Sequence, residues 1–502
     1  MACPAMNDRL RALLASLLAF DTTSRASNLA LIQFIDDYLT DRGVTTQWLH
    51  DDSGKKANLY ARLGPDDAGG VMLSGHTDVV PVEGQNWSVP PFALTERDGR
   101  CYGRGSADMK GFIACVLASL DDFLQQPLRM PLHLAFSYDE EVGCLGVRSL
   151  IAMLNASAAK PAMCIVGEPT GMQPVYGHKG KRAVRCRVQG LACHSAYTHQ
   201  GVNAIHYAGR LIAHLLHQET ALKQRDERFK PPYSTLQVGT IQGGTALNIV
   251  PETCQFDVEW RTLPDTDAQI LYDSVRHFAE AELMPEMQRI DPSCNIVFQP
   301  LSDYPGLLTD PQTDVARWLA QWSGQDDFTT VAFGTEGGLF NETGIAILVC
   351  GPGSMEQGHK ADEFVSVEQL ERCMSMLKNL CQWMAVTAGN ARSDYRLTLL
   401  RGKLQPTVKC HPGRLRQGDA GRGIVGQHRQ HARHVAFGRR HAMQGITSAK
   451  QYQVSGFNGQ LSDRLLFIQH GCHARIIHLA RIGIPQIFHI LKPPAAGWFL
   501  HQ

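Results

Sequence analysis

Hydrophobic positions along the chain follow two different periods. Residues 8–20 (DRLRALLASLLAF) and 28–39 (NLALIQFIDDYL) carry apolar side chains at helical spacing. Asn58–Leu63 predicts a strand, and short apolar runs bounded by turn residues follow at Val71–Leu73, Leu132–Phe136, Ala162–Val166 and Ile345–Cys350. Runs this short, set among helical stretches such as Ile113–Phe123, predict strands covered on both faces, as in a mostly parallel α/β sheet. The middle of the chain differs. Val184, Cys186 and Val188 alternate with Arg185, Arg187 and Gln189, so one face of that strand is wet. Ile205, Ala208, Leu211, Ile212 and Leu215 form a helical stripe, and Leu236–Ile241 and Phe256–Trp260 alternate again. A helix over 266–284 and a strand at Asn295–Phe298 complete the order βαββαβ, which predicts a small ferredoxin-like α+β unit. Amphipathic helices at Val315–Trp322 and Val367–Met384 then resume the first pattern. The expected organisation is therefore one α/β domain in two parts, 1–179 and 303–388, with an inserted unit over 180–302.

Composition changes the picture at the end of the chain. The 502 residues carry zero net charge, but residues 391–502 hold 17 Lys or Arg against 3 acidic residues, and 10 of the 21 histidines. Residues 389–502 are expected to be a basic, poorly ordered extension, because Gly413–His441 shows no sustained period. A hydrophobic fraction of 44% excludes a wholly disordered chain. No apolar run is long enough to span a membrane, and Met1–Leu10 lacks the features of a secretion signal. The 14 cysteines form no CxxC pair, so they are expected to be buried thiols of a reduced compartment, with the cytoplasm as default.

The chemistry follows the buried strands. Val71–Leu73 leads into Gly75-His76-Thr77-Asp78, Leu132–Phe136 into Asp139-Glu140-Glu141, and Ala162–Val166 into Gly167-Glu168-Pro169. Ile345–Cys350 leads into a Gly/Pro-rich loop carrying His359. Ligands of open α/β sheets bind beyond the carboxyl ends of the strands, and four ends delivering His or Glu to one rim predict a site for zinc or a similar ion. Asp108 stands alone in the Gly-rich stretch Gly103–Gly111 before a helix, and its two oxygens could bridge two ions about 3.5–4 Å apart.

These stretches resemble the M20 family of metallo-aminoacylases and deacetylases. The likeness runs through Gly75–Pro81, Trp87, Phe92, Gly103–Gly111, Asp139–Gly143, Val166–Thr170 and His359, over roughly residues 8–386. Gly177–Gly180, Gly201–Ala204 and Gly351–Glu363 are most similar to the acetylornithine deacetylases within it. The resemblance implies a metallopeptidase-like catalytic domain and a lid that also forms a homodimer. It implies two divalent ions, zinc or cobalt, with His76 and Glu168 on one, Glu141 and His359 on the other, and Asp108 between them. Asp78 would orient the ligand imidazole, Glu140 would be the general base, and the lid residue His194 would reach the partner subunit's site as an oxyanion donor. Asn248, Arg261, Gly334 and Gly337 would receive a substrate carboxylate, and Glu336 a terminal ammonium.

Taken singly, each residue has an ordinary explanation. His76 and Asp78 could be a hydrogen-bonded rim pair, Glu140-Glu141 a solvated turn, His359 a surface histidine, and Glu336 a helix N-cap carboxylate. The motifs in their common order favour the metal site. The activity implied is hydrolysis of a small N-acyl amino acid, N2-acetyl-L-ornithine, in arginine biosynthesis. A succinyl-diaminopimelate desuccinylase or a broader N-acyl-amino-acid hydrolase is the alternative. A nucleic-acid role for the basic tail lacks an aromatic platform, a zinc pattern or a groove-reading helix.

Overall fold

The computed structural model describes residues 6–66, 69–222 and 224–385, together with five strand segments between 435 and 499. The central sheet has nine strands. From one edge the order is Thr46–His50, Ala57–Leu63, Leu132–Ser137, Val71–His76, Met163–Val166, Ala346–Val349, Val175–His178 and Leu307–Leu308, with Thr329–Val331 also paired to Val175–His178. It is parallel from Leu132–Ser137 to Ala346–Val349 and antiparallel along that order towards both edges, while Thr329–Val331 runs parallel to Val175–His178. Both faces are covered, as the apolar runs predict. Val71, Leu73, Leu134, Ile165 and Leu348 face a core shared with the helices Asp8–Leu18, Leu29–Thr40, Lys110–Ala118, Asp314–Ser323 and Val367–Met384. Met72, Ala135, Cys164, Val166 and Ile347 face the opposite core, against Val147–Ala156 and Gly337–Glu342.

Local signals set the helix ends. The Asn7 side chain accepts from the amides of Arg9 and Leu10, and Ser366 caps Val367–Met384 through Gln369 N–H. Gly324 closes Asp314–Ser323 at φ +67°, a conformation that costs glycine little. The helix expected at 113–123 starts earlier, at Lys110, and is interrupted at Ser119 before a second short helix over Leu120–Leu124. One histidine within the sheet is purely structural. His133 accepts from Tyr60 Oη at 2.6 Å and donates to Gly69 O at 2.9 Å, and burial holds its pKa down at about 4.

The inserted unit forms a four-stranded antiparallel sheet in the order Thr235–Gly243, Thr253–Thr262, Gly180–Gln189, Asn295–Tyr304, which is the ferredoxin-like arrangement. Its helices, Ala204–Ala221 and Ala268–Phe278 with a continuation to Gln288, pack on one face around Val184, Cys186, Leu211, Phe256 and Trp260. The other face is polar, and there Arg185 pairs with Asp257 on the neighbouring strand at 2.8 Å. The chain divides into two compact units, 1–404 and 405–502. Within the second, Val435–Phe437, Lys450–Ser455, Ser462–His470, His473–His478 and Trp498–Phe499 pair in that order as one sheet. The expectation of poor order for 389–502 otherwise lies outside the described residues. No helix among them is long and apolar enough to cross a membrane.

Candidate metal centre

Four neighbouring strands end at one rim and deliver the candidate ligands there. His76 is the last residue of Val71–His76, and Glu140 and Glu141 follow Leu132–Ser137. Glu168 follows Met163–Val166, and His359 lies in the loop after Ala346–Val349. Asp108 arrives separately, in the turn that opens the helix Lys110–Ala118. Its two oxygens face two different groups. Oδ1 is 3.0 Å from His76 Nε2, which is also 3.7 Å from Glu168 Oε1. Oδ2 is 3.1 Å from His359 Nε2, itself 3.0 Å from Glu141 Oε2. In each triad the ligand atoms lie within 4.8 Å of one another. Donors about 2.0–2.2 Å from one tetrahedral ion stand about 3.3–3.6 Å apart, so the spacing suits a single cation in each.

The charges fit cations as well. Burial, reinforced by neighbouring carboxylates, pushes Glu168 and Glu140 well above the ordinary carboxylate range and Glu141 up to about 7. Asp108 is held far below that range despite its burial, because both histidines hydrogen-bond to it. Hydrogen bonds to Asp108 and Glu141 raise His359 to about 10. Burial opposes charge on His76, but Asp108, Asp78 and Glu168 together outweigh it. Four crowded carboxylates around two imidazoles form a donor set that two divalent ions would neutralise.

Supporting bonds fix the ligands. His76 Nδ1 donates to the Asp78 carbonyl at 2.9 Å, which aims Nε2 at Asp108 and Glu168. The Asp78 carboxylate stands 3.5 Å from Nδ1, and it accepts instead from Ser24 Oγ and from the amides of Glu140 and Glu141. It therefore braces the turn that carries Glu140 as well as the imidazole. Glu140 Oε1 accepts from the Cys144 thiol at 3.4 Å.

The remaining candidates fall into two places. Gly334 and Glu336 lie in the loop between Thr329–Val331 and Gly337–Glu342, and Gly337 opens that helix. Thr335 anchors that loop by donating to His178 Nε2 at 3.1 Å and accepting from Gly337 N–H. Glu336 is buried, and neither of its oxygens makes a hydrogen bond of good geometry. Burial pushes it up to about 7, opposed by Ser137 and His76. Its enclosure leaves no surface for a substrate ammonium in this conformation of the loop. The second group sits on the inserted unit. His194 is exposed, and its Nδ1 accepts from Ala196 N–H at 3.1 Å, which puts the proton of the neutral ring on Nε2. Exposed Asn248 lies beside it through the bond from Ser195 N to Asn248 O. Arg261 donates to Glu259 and, at 3.4 Å, to Tyr304 Oη. No hydrogen bond joins His194 or Asn248 to the two triads within this chain, among the described residues.

Sequence reasoning missed Tyr304. The ring is buried against Gly334, where an added Cβ would stand 2.1 Å away, and its hydroxyl meets Arg261. A single tyrosine before Pro305 gives no periodic or motif signal.

Residues 72–383 match the model of peptidase family M20/M25/M40, so the chain belongs to that family of hydrolases. Among curated relatives, an acetylornithine deacetylase of Myxococcus xanthus is 38% identical over 376 residues, covering 73% of this chain and 95% of the relative. One of Pasteurella multocida (strain Pm70) is 32% identical over 383 residues, covering 75% and 97%. The fold is shared with an M20 family metallo-carboxypeptidase of Sulfolobus solfataricus, with a TM-score of 0.60 and 18% identity over 75% of this chain and 99% of that one.

Proposed function

We propose that this hydrolase removes the acetyl group of N2-acetyl-L-ornithine, giving ornithine for arginine biosynthesis in the cytoplasm. The observation that carries the chemistry is Asp108, which offers one oxygen to each of two ligand triads. The similarity to acetylornithine deacetylases supports the substrate. Two divalent ions, zinc or cobalt, held by His76, Asp108 and Glu168 and by Asp108, Glu141 and His359, would polarise the amide carbonyl and acidify a water.

The chain's own groups do the rest. Glu140 sits next to the ligand Glu141 without belonging to either triad, so it is free to take a proton from the attacking water and pass it to the leaving amine. His194, with its proton on Nε2, is suited to donate to the developing oxyanion. Its exposure on the inserted unit supports action on the site of a second copy in a homodimer. Arg261, the amides of Gly334 and Gly337, and Asn248 would receive the α-carboxylate. Pairing of Glu336 with the terminal ammonium requires the 334–338 loop to open. Among the described residues the cysteines are all free thiols, which supports a reduced compartment.

The test is a direct comparison of substrates. The metal-loaded protein should hydrolyse N2-acetyl-L-ornithine faster than N-succinyl-diaminopimelate or N-acetylmethionine. Faster turnover of either competitor would replace acetylornithine as the substrate.

A further inference from the structure

The second triad is braced by a chain of side chains from three separate parts of the sequence. Glu363 Oε1 accepts from the amides of Ala107 and Asp108 at 2.9 and 3.1 Å. Its Oε2 meets Arg104 Nη1 at 2.6 Å, in a fully buried ion pair. Arg104 Nη2 donates to Gln85 Oε1 at 2.5 Å, and the guanidinium lies over the Trp87 ring. Trp87 Nε1 donates to the same Gln85 oxygen at 3.1 Å. The other end of that amide, Gln85 Nε2, donates to the His359 carbonyl at 3.0 Å.

His359 needs such a hold. Its φ is +60°, a left-handed conformation rare for a non-glycine residue, which persists where surrounding structure fixes it. Its side chain is 44% exposed, against 1% for His76, so packing restrains it far less. At one end the chain fixes the backbone of Asp108, and at the other the backbone of His359. Among the described residues, none of its side chains hydrogen-bonds to His76 or Glu168, which it meets only through Asp108.

We propose that Gln85, Arg104 and Glu363 are positioning residues for the ion held by Asp108, Glu141 and His359, and that Gln85 selectively sets the affinity of that ion. The proposal rests on the two-ion reading of the site. Removing either member of the buried Arg104–Glu363 pair would leave an unpaired buried charge and threaten the fold. Gln85 is half-buried at the rim, and Gln85→Met keeps its length while deleting all three bonds.

The experiment titrates chelator-stripped, full-length protein with Zn2+ by calorimetry. His359→Ala identifies the binding phase that belongs to the second triad. In Gln85→Met that phase should weaken by about 10–100-fold, the usual effect of losing support behind a ligand, while the other phase moves by less than about twofold. The stripped variant should still unfold cooperatively, a few degrees at most below the stripped parent for the acceptor lost by Arg104, so that weaker ion uptake cannot be put down to loss of the fold. Unchanged affinity in both phases, or equal weakening of both, would overturn the proposal. Uptake of fewer than two ions by the unsubstituted chain would overturn the two-ion reading, and this proposal with it.

Discussion

Glu140 and Glu141 are adjacent, yet one faces the Cys144 thiol and the other His359. That division predicts different consequences for similar substitutions. Glu140→Ala should keep two ions per chain by elemental analysis and lose about 10²–10⁴-fold in turnover, the usual contribution of a general base. Loss of an ion with the activity would place Glu140 among the ligands. Asp108→Ala should be worse, with ion content well below two, since both triads lose a donor. The stripped protein should also become less stable as pH rises from about 5 to 9. Glu141 and His359 both have raised pKa values in the folded state, about 7 and about 10. Each binds its proton more tightly folded than unfolded, so the stability they contribute is complete at low pH and is lost as pH rises through those values. The lowered pKa of Asp108 acts only at acid pH, outside that window. Lys110, held down at about 7 by burial, and His133 and His178, held down at about 4, act in the opposite sense, so the measure is the slope against that of stripped His359→Ala. A parent whose melting temperature falls no more steeply with pH than that variant's would refute the assignment. Of the candidate ligands, His76, Glu141 and Glu168 stood out in the sequence because each comes just after an apolar run, Asp108 because it stands alone among glycines, and His359 only through the likeness of its loop to the family. The links among Gln85, Arg104 and Glu363 did not, since contacts between residues so far apart leave no mark on local pattern.

At the scale of elements, the legible strands were those buried on both faces, such as Val71–His76 and Leu132–Ser137, where unbroken apolar runs are required. Thr46–His50 escaped because an edge strand needs fewer apolar positions, and Val175–His178 because its Gly177 and His178 break the apolar run that marks the equally short Met163–Val166 and Ala346–Val349. The inserted unit was legible through its alternation, seen intact in Thr253–Thr262. One close packing contact ties an element to the site. A Cβ on Gly167 would stand 2.0 Å from the Phe112 ring, so the strand end carrying Glu168 rests directly on the helix Lys110–Ala118. Gly167→Ala should cost about 1–3 kcal/mol of stability by overpacking. It should also weaken ion binding at the His76 triad first. A chemical-denaturation midpoint like that of the parent would show that the helix yields without cost.

For the whole molecule, two experiments bear on assembly. If His194 serves a partner's site, His194→Ala and Glu140→Ala are each nearly inactive. A dimer with one of each contains one site with both defects and one with neither. Mixing them under subunit exchange should restore up to about a quarter of parental activity per chain, for random pairing in a closed two-fold dimer. A mixture as inactive as its parents, with exchange shown by a label, would exclude action across subunits. Deleting residues 391–502 should leave folding and turnover intact, because the family match ends at 383 and the last core helix at Met384. Collapse of either would make the tail integral to the enzyme.

The bridging carboxylate also has a consequence for how the protein matures on the ribosome. Its first partners, His76 and Glu168, are synthesised before the inserted unit begins at Gly180, whereas His359 follows that unit and the strand Ala346–Val349. Translation therefore presents the donors of one triad while those of the other are still incomplete. On the two-ion reading, capture at the second triad would have to wait until distant parts of the chain have docked, a slow step for contacts of such long sequence separation. A nascent chain stalled short of residue 359 has the donors for one ion and lacks the histidine that completes the other triad.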